Sequence, residues 1–279
     1  EKSWPVDELV SMRWSEDGPV RTTLELEYRC NQSTIWQKIH FYANTPRIDF
    51  ETKADWKEHQ HLLKAEFPVD IHSDEATFEI QFGNVTRKVH TNTSWDKARF
   101  ESCGQKWMDF SEGHYGVSLL NDCKYGHSVR DGVIGLTLIK CGVEPNPNAD
   151  VEMHTFTYAL FPHAGTWKEA GTVEESYQLN LPAYAVRGGQ PGTAFSYTAV
   201  EPRNVVLETV KQAENGDGVV LRMYECENAR TKTVVRLPEG AQRAYLTNLL
   251  EEIQEELPIV DGKVTFMTKP FEIQTVLVK

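Results

Sequence analysis

The sequence predicts an all-β protein built as two units, and three observations carry that expectation. Apolar and polar residues alternate at period two along much of the chain, the alternating runs are rich in β-branched and aromatic residues, and clusters of Gly, Pro, Asn and Asp separate them. Leu24, Leu26 and Tyr28 interleave with Thr23, Glu25 and Glu27, and Phe78, Ile80 and Phe82 with Thr77, Glu79 and Gln81, the pattern of strands buried on one face. Further strands are expected over 35–42, 47–54, 62–71, 116–120, 132–140 and 152–161, the last with Phe156, Tyr158 and Leu160 on one face. Glu16-Asp17-Gly18-Pro19 and Pro145-Asn146-Pro147-Asn148 read as turns. One short helix is predicted near 165–177, where Trp167, Ala170 and Tyr177 share a helical face. The turn-rich Arg187-Gly188-Gly189-Gln190-Pro191-Gly192 marks a boundary between units of 1–195 and 200–279. In the second unit, strands over 205–211 and 219–224 flank Asn215-Gly216-Asp217-Gly218, a hairpin signal because Asn and Gly tolerate positive φ. Strands over 231–237, 263–268 and 271–278 follow, while Leu246, Leu249, Leu250, Ile253 and Leu257 have helical spacing before Pro258.

A chain of 279 residues can bury a substantial core. It is 40% apolar and 25% charged, and no apolar run approaches the ~18 residues of a membrane span, so a soluble protein is expected. The net charge of −12 repels phosphate backbones and anionic lipid, which argues against nucleic-acid and membrane partners. Cys30, Cys103, Cys123, Cys141 and Cys226 are odd in number and never form C-x-x-C, the pattern of a reduced set. The opening residues carry neither an initiating Met nor a basic-then-apolar leader, so the chain is expected to begin inside a longer polypeptide. Without a leader, the N-x-S/T patterns at Asn31, Asn84 and Asn92 read as chance matches.

Few motifs carry chemistry. There is no G-x-G-x-x-G and no P-loop. On a strand, His59-Gln60-His61 would turn both imidazoles to one side, but two ligands do not make a zinc site. Ser94-Trp95-Asp96-Lys97 matches S-x-x-K without the helical context and companion motifs of acyl-transfer enzymes. The adjacent pairs Glu174-Glu175, Glu251-Glu252 and Glu255-Glu256 diverge on any regular element and cannot flank one bond. Trp36, Trp56 and Trp107 lie in or beside strand-like runs and are assigned to the core. The richest polar stretch, Asn121 to His127, directly follows an apolar strand. It reads either as a contact loop or as a turn whose Asn121 and Asp122 bond the local backbone.

Several stretches together resemble the C-terminal portion of glycoside hydrolase family 38 α-mannosidases, particularly the bacterial and cytosolic or vacuolar branch. They include Gln81-Phe82-Gly83-Asn84-Val85-Thr86-Arg87, Leu119-Leu120-Asn121-Asp122-Cys123-Lys124-Tyr125-Gly126, Ala159-Leu160-Phe161-Pro162-His163 and Lys269-Pro270-Phe271-Glu272-Ile273, with 61–69, 179–182 and 210–218 between them. The resemblance implies a large β-supersandwich of the galactose-mutarotase kind followed by a smaller β-sandwich, with 246–257 a strand plus connection. It also implies that the supersandwich starts upstream of Glu1, leaving an edge or apolar face bare. Such enzymes remove terminal α-mannose with retention, using a zinc ion, an aspartate nucleophile and an acid/base carboxylate of an N-terminal catalytic domain. Retention needs two carboxyl groups about 5–5.5 Å apart, and no segment here matches that domain. The resemblance therefore assigns no catalytic residue and no metal ligand here, and implies an inactive isolated chain. Its implied partners are the catalytic domain of the same polypeptide and a mannose-containing oligosaccharide, in the cytoplasm, with self-association left open. Asn121, Asp122, Lys124 and Tyr125 are the substrate-binding candidates it suggests. Two other readings stand beside it. One is an autonomous carbohydrate-binding module with an exposed aromatic platform. The other is an epimerase pairing a glutamate with one of His114, His127, His154 or His163.

Overall fold

The structure, a computed structural model, describes residues 2–189, 192 and 194–279. It divides into two compact units, one running to Ile80 and from Val85 to Tyr184, the other holding Gln81–Asn84 and Ala185–Lys279. The division thus falls between Tyr184 and Ala185, ahead of the expected 195–200 stretch; Gln190 and Pro191 of the turn-rich segment lie outside the described residues.

The strands of the first unit are β1 (Glu8–Asp17), β2 (Arg21–Cys30), β3 (Ser33–Tyr42), β4 (Ile48–Asp55), β5 (Leu62–Pro68), β6 (Glu75–Ile80), β7 (Gly83–Lys88), β8 (Ser102–Cys103), β9 (Trp107–Ser111), β10 (Tyr115–Asn121), β11 (Gly126–Arg130), β12 (Val133–Lys140) and β13 (Met153–Ala164). Among the described residues they form a nine-stranded sheet, β1-β2-β3-β4-β13-β10-β9-β6-β7, and a four-stranded sheet, β5-β12-β11-β8. Antiparallel partners share a face. Leu119 and Met108 of the large sheet therefore meet Ile134 and Leu136 of the small one in a single core with Trp56, Phe78 and Phe156.

The small sheet ends over β4 and β13, where Phe67 of β5 packs 5.6 Å from Phe50 and 6.3 Å from Tyr158. The same row of side chains continues outward through Ile39 and Leu24 to Trp14 on β1. All ten residues of β1 are exposed; Met12 and Trp14 are each 62% accessible. Among the described residues no strand pairs with the outer edge of β1, and its apolar side chains stand in solvent.

The other face of the large sheet is covered at its centre by α2 (Trp167–Ala170) and α3 (Thr172–Asn180), which follow the short surface helix α1 (Ser94–Ala98). The single helix expected over 165–177 is thus two. Gly171, at φ 78, ends α2 in the left-handed conformation that closes a helix and at the same time begins α3. Trp167 seats against Trp107 at 4.8 Å, and Thr172, Val173 and Ser176 are the buried residues of α3. Beneath them Asp109 accepts hydrogen bonds from Ser118 Oγ (2.9 Å) and His163 Nε2 (2.8 Å), and Ser118 Oγ lies 2.7 Å from Thr172 Oγ1. This linkage satisfies buried polar groups that would otherwise cost about 1–3 kcal/mol each.

The second unit is a β-sandwich. Its sheets are β14 (Ala199–Glu201), β17 (Thr231–Arg236) and β20 (Lys263–Thr268), and, in the order β15-β16-β21-β18-β19, β15 (Val205–Gln212), β16 (Val219–Glu225), β21 (Ile273–Val278), β18 (Ala244–Thr247) and β19 (Ile253–Leu257). Val205, Leu221, Met223, Val235, Val264 and Val276 fill the space between them. The β15–β16 hairpin turns where expected, and a Cβ at Gly218 would lie 2.5 Å from Val278 O, so only glycine fits there. Residues 246–257 are the end of β18, a turn and β19. Asn248 Oδ1 accepts from the backbone N–H groups of Leu250 and Glu252, and Leu249 and Leu250 stand in solvent, so the helical spacing does not govern. The carboxylate of Glu225 is wholly buried and accepts from Asn204 Nδ2 (2.9 Å), Glu227 N (2.8 Å) and Phe271 N (3.1 Å).

Candidate functional site

β10 runs through the centre of the large sheet, paired to β9 and β13, and at Asn121 the chain leaves that sheet to enter β11 in the small one. The candidate loop, 122–125, is therefore the crossover between the two sheets. Asn121 is buried. Its Nδ2 donates to Gln105 O (2.9 Å), its Oδ1 accepts from Lys124 N (2.7 Å), and its backbone carbonyl accepts from Asn180 Nδ2 (3.0 Å). His127, with no exposed surface, completes the bracket. Its Nδ1 lies 3.2 Å from Tyr125 O and its Nε2 3.4 Å from Asn121 Nδ2, the pattern of a neutral ring protonated on Nδ1. Burial holds its pKa down to about 4. A Cβ at Gly104 would meet this ring at 2.8 Å, so a glycine there lets the imidazole in.

The remaining candidates divide by exposure. Asp122 is exposed, and its Oδ2 accepts from Thr157 N (2.9 Å) while its own N–H donates to Thr157 O (3.1 Å). Lys124, half-buried, lays its ammonium 4.5 Å from the centre of the Phe156 ring, a cation–π contact. Tyr125 is 59% exposed, and its hydroxyl bonds no other group among the described residues. Between them Cys123 has its thiol pushed up to about 11 by burial and then by Asp122, so it is a weak nucleophile near neutral pH. The loop thus presents a carboxylate, an ammonium and a phenol on a floor that Asn121 ties down. Asn180 was not singled out from the residues themselves; its place just before Leu181-Pro182, where α3 ends, was the available signal.

Other candidates fall elsewhere. His59-Gln60-His61 is a turn with Gln60 at φ 55, not a strand, so side-chain alternation does not apply to it. Ser94 to Lys97 does lie on a helix, but α1 is a single surface turn closed by a Thr93–Asp96 capping box, with no buried residue. Trp56 and Trp107 are buried, whereas Trp36 is 38% exposed on the large sheet, with Lys53 Nζ 6.0 Å from its ring. The Asn84 amide donates to Cys226 O at 2.7 Å and is spent on that bond. Among the described residues no group of three His, Cys, Asp or Glu gathers as metal ligands.

The family model described as "Glycosyl hydrolases family 38 C-terminal domain" matches residues 1–148, and "Glycosyl hydrolases family 38 C-terminal beta sandwich domain" matches residues 204–276. The chain belongs to glycosyl hydrolase family 38, of which these are C-terminal domains. Human alpha-mannosidase 2C1 is 40% identical over 252 residues, covering 88% of this chain and 24% of that protein. Alpha-mannosidase G of Dictyostelium discoideum is 36% identical over 275 residues, 93% of this chain and 25% of its own. The chain spans about a quarter of the length of these curated relatives. In fold it is similar to an alpha-mannosidase from Enterococcus faecalis V583, at TM-score 0.80 and 19% identity, covering 98% of this chain and 35% of that one.

Proposed function

We propose that this chain is the supporting β portion of a retaining, zinc-dependent α-mannosidase, which packs against the catalytic domain of the same polypeptide and helps wall the substrate cleft. The observation that carries the reading is β1: an entire apolar-bearing edge strand with no cover, in a chain a quarter the length of relatives named α-mannosidases. In this reading the zinc ion and the reacting carboxylates belong to the catalytic domain of the same polypeptide. Five unpaired cysteines fit a reducing, cytoplasmic setting. Asp122, Lys124 and Tyr125 supply the hydrogen bonds to a mannose-containing oligosaccharide, with Asn121 holding the loop in place.

Two measurements on the full-length enzyme test this. Trp14→Ser should lower its melting temperature while leaving that of the isolated chain unchanged; equal behaviour of the two would remove the docking role. Tyr125→Phe and Asp122→Ala should each cut kcat/KM for an α-mannoside about tenfold or more, the loss of one hydrogen bond made in the transition state. Unchanged kcat/KM in both would remove the cleft-wall role.

The other two readings fare less well. His127 and His163 are enclosed in the core rather than open to a cleft. The exposed Trp14 and Phe41 rings, 6.3 Å apart, tilt by 52° instead of making a flat sugar platform.

A further inference from the structure

The first unit carries a depression of about 520 Å³, open to solvent, at the junction of β7, α1 and β8, bordered by Arg87, Lys88, His90, Asp96, Arg99 and Glu101. In a chain of net charge −12 its charge pattern is unusual, because the acidic members are already engaged. Asp96 Oδ2 accepts from Thr93 N (3.0 Å) and Thr93 Oγ1 (2.7 Å), which closes the start of α1 and holds its carboxyl below the usual carboxylate range. Glu101 accepts from Thr137 Oγ1 and lies 3.5 Å from Lys64 Nζ. Lys88 is drawn away to Asp74 (2.8 Å) and Glu75 (3.2 Å).

That leaves the two arginines. Arg87 Nη1 donates to Cys103 O (2.9 Å), with its guanidinium 4.7 Å above the Phe78 ring; Arg99 Nη1 reaches Lys88 O at 3.4 Å. Among the described residues neither guanidinium has a carboxylate within ion-pair distance, so most of their donors point to no protein acceptor. Burial, and then the like charge of Arg99, push the Arg87 pKa below its ordinary value, so a bound anion would relieve both effects. The Nδ1 atom of His90, on the same wall, is buried without a hydrogen-bond partner, 3.5 Å from Asp96 Oδ2.

We propose that this depression binds a small phosphate monoester, its phosphate taken between the Arg87 and Arg99 forks with His90 beside them. A guanidinium offers paired donors in the geometry of two phosphate oxygens, and two such forks can hold one tetrahedral dianion. The depression is much larger than one bare phosphate needs, which leaves room for the organic part of an ester. Because the chain as a whole repels anions, binding rests on these local donors and weakens with added salt.

The test is calorimetric titration of the full chain at low ionic strength with glycerol 3-phosphate, and separately with inorganic phosphate. Saturable one-to-one binding of the ester is expected, weakened about tenfold or more by Arg87→Gln and by Arg99→Gln, and unaffected by Lys57→Gln at a distant salt bridge. Arg99 is exposed, so its variant folds even if loss of the Arg87–Phe78 contact disturbs the other. Arg99→Lys, which keeps the charge and loses the fork, should also bind more weakly than the parent chain. Absence of saturable heat with the ester, or affinity unchanged from the parent chain in both glutamine variants, overturns the site. Inorganic phosphate binding as tightly as the ester overturns the assignment to a monoester.

Discussion

β1 and β10 lie in the same sheet and carry comparable shares of apolar residues, yet one is bare and the other sealed. Leu9, Val10, Met12 and Trp14 of β1 stand in solvent, while Val117, Leu119 and Leu120 of β10 are buried. The difference lies in what is opposite each strand. β10 has the four-stranded sheet on one face and α2 and α3 on the other, whereas β1 lies beyond the reach of both. Burial in a large sheet is thus a property of the covering layers, and an apolar strand outside them stays exposed.

That contrast can be broken by mutation. Leu119→Ala, under the small sheet, should cost about 3 kcal/mol or more and shift the melting temperature of the chain by several degrees; a cost below about 1 kcal/mol would mean that the centre is less tightly packed than described.

A pH titration sharpens the same point for His127. The imidazole stays neutral in the folded chain down to about pH 4, while in the unfolded chain it takes up a proton near 6.5. Between those values the unfolded state binds more protons, so stability falls as pH drops from about 6.5 to about 4 and this contribution levels off below. The loss is on the order of 3 kcal/mol. His127→Gln should flatten that limb of a melting-temperature profile, and an unchanged acid limb would show that the ring is not sealed. The smallest effect belongs to the bare end, where Trp14→Ser should change the stability of the isolated chain by less than about 0.5 kcal/mol.

Much of this architecture was legible in the sequence wherever one face of a strand is buried. The period-two runs became β2, β3, β4, β12, β16 and β20 almost residue for residue, and Asn215 to Gly218 turned as its backbone preferences require. Legibility failed where neighbours distant in sequence decide the outcome. β1 was not foreseen, although Val10, Met12 and Trp14 alternate with Ser11, Arg13 and Ser15; the run is short, and it pairs with β2 through two register shifts. The helix over 165–177 was foreseen as one piece because its apolar spacing spans Gly171, whose left-handed backbone the spacing cannot reveal. At the candidate loop both open readings have structural content. Asn121 is a backbone brace, as the self-contained turn would have it, while Tyr125 projects as a contact residue would. The brace from Asn180 joins segments 59 residues apart, which no local pattern encodes.

The Asn121 brace also governs the motional freedom of the group it displays. The helix bonds the loop at Asn121 O, the Asn121 side chain bonds it at Lys124 N, and the enclosed imidazole bonds it at Tyr125 O, so the backbone that carries the Tyr125 ring is restricted. A partner that accepts its proton immobilises little that was still free, and so loses less entropy on contact than it would against a phenol on an untethered segment.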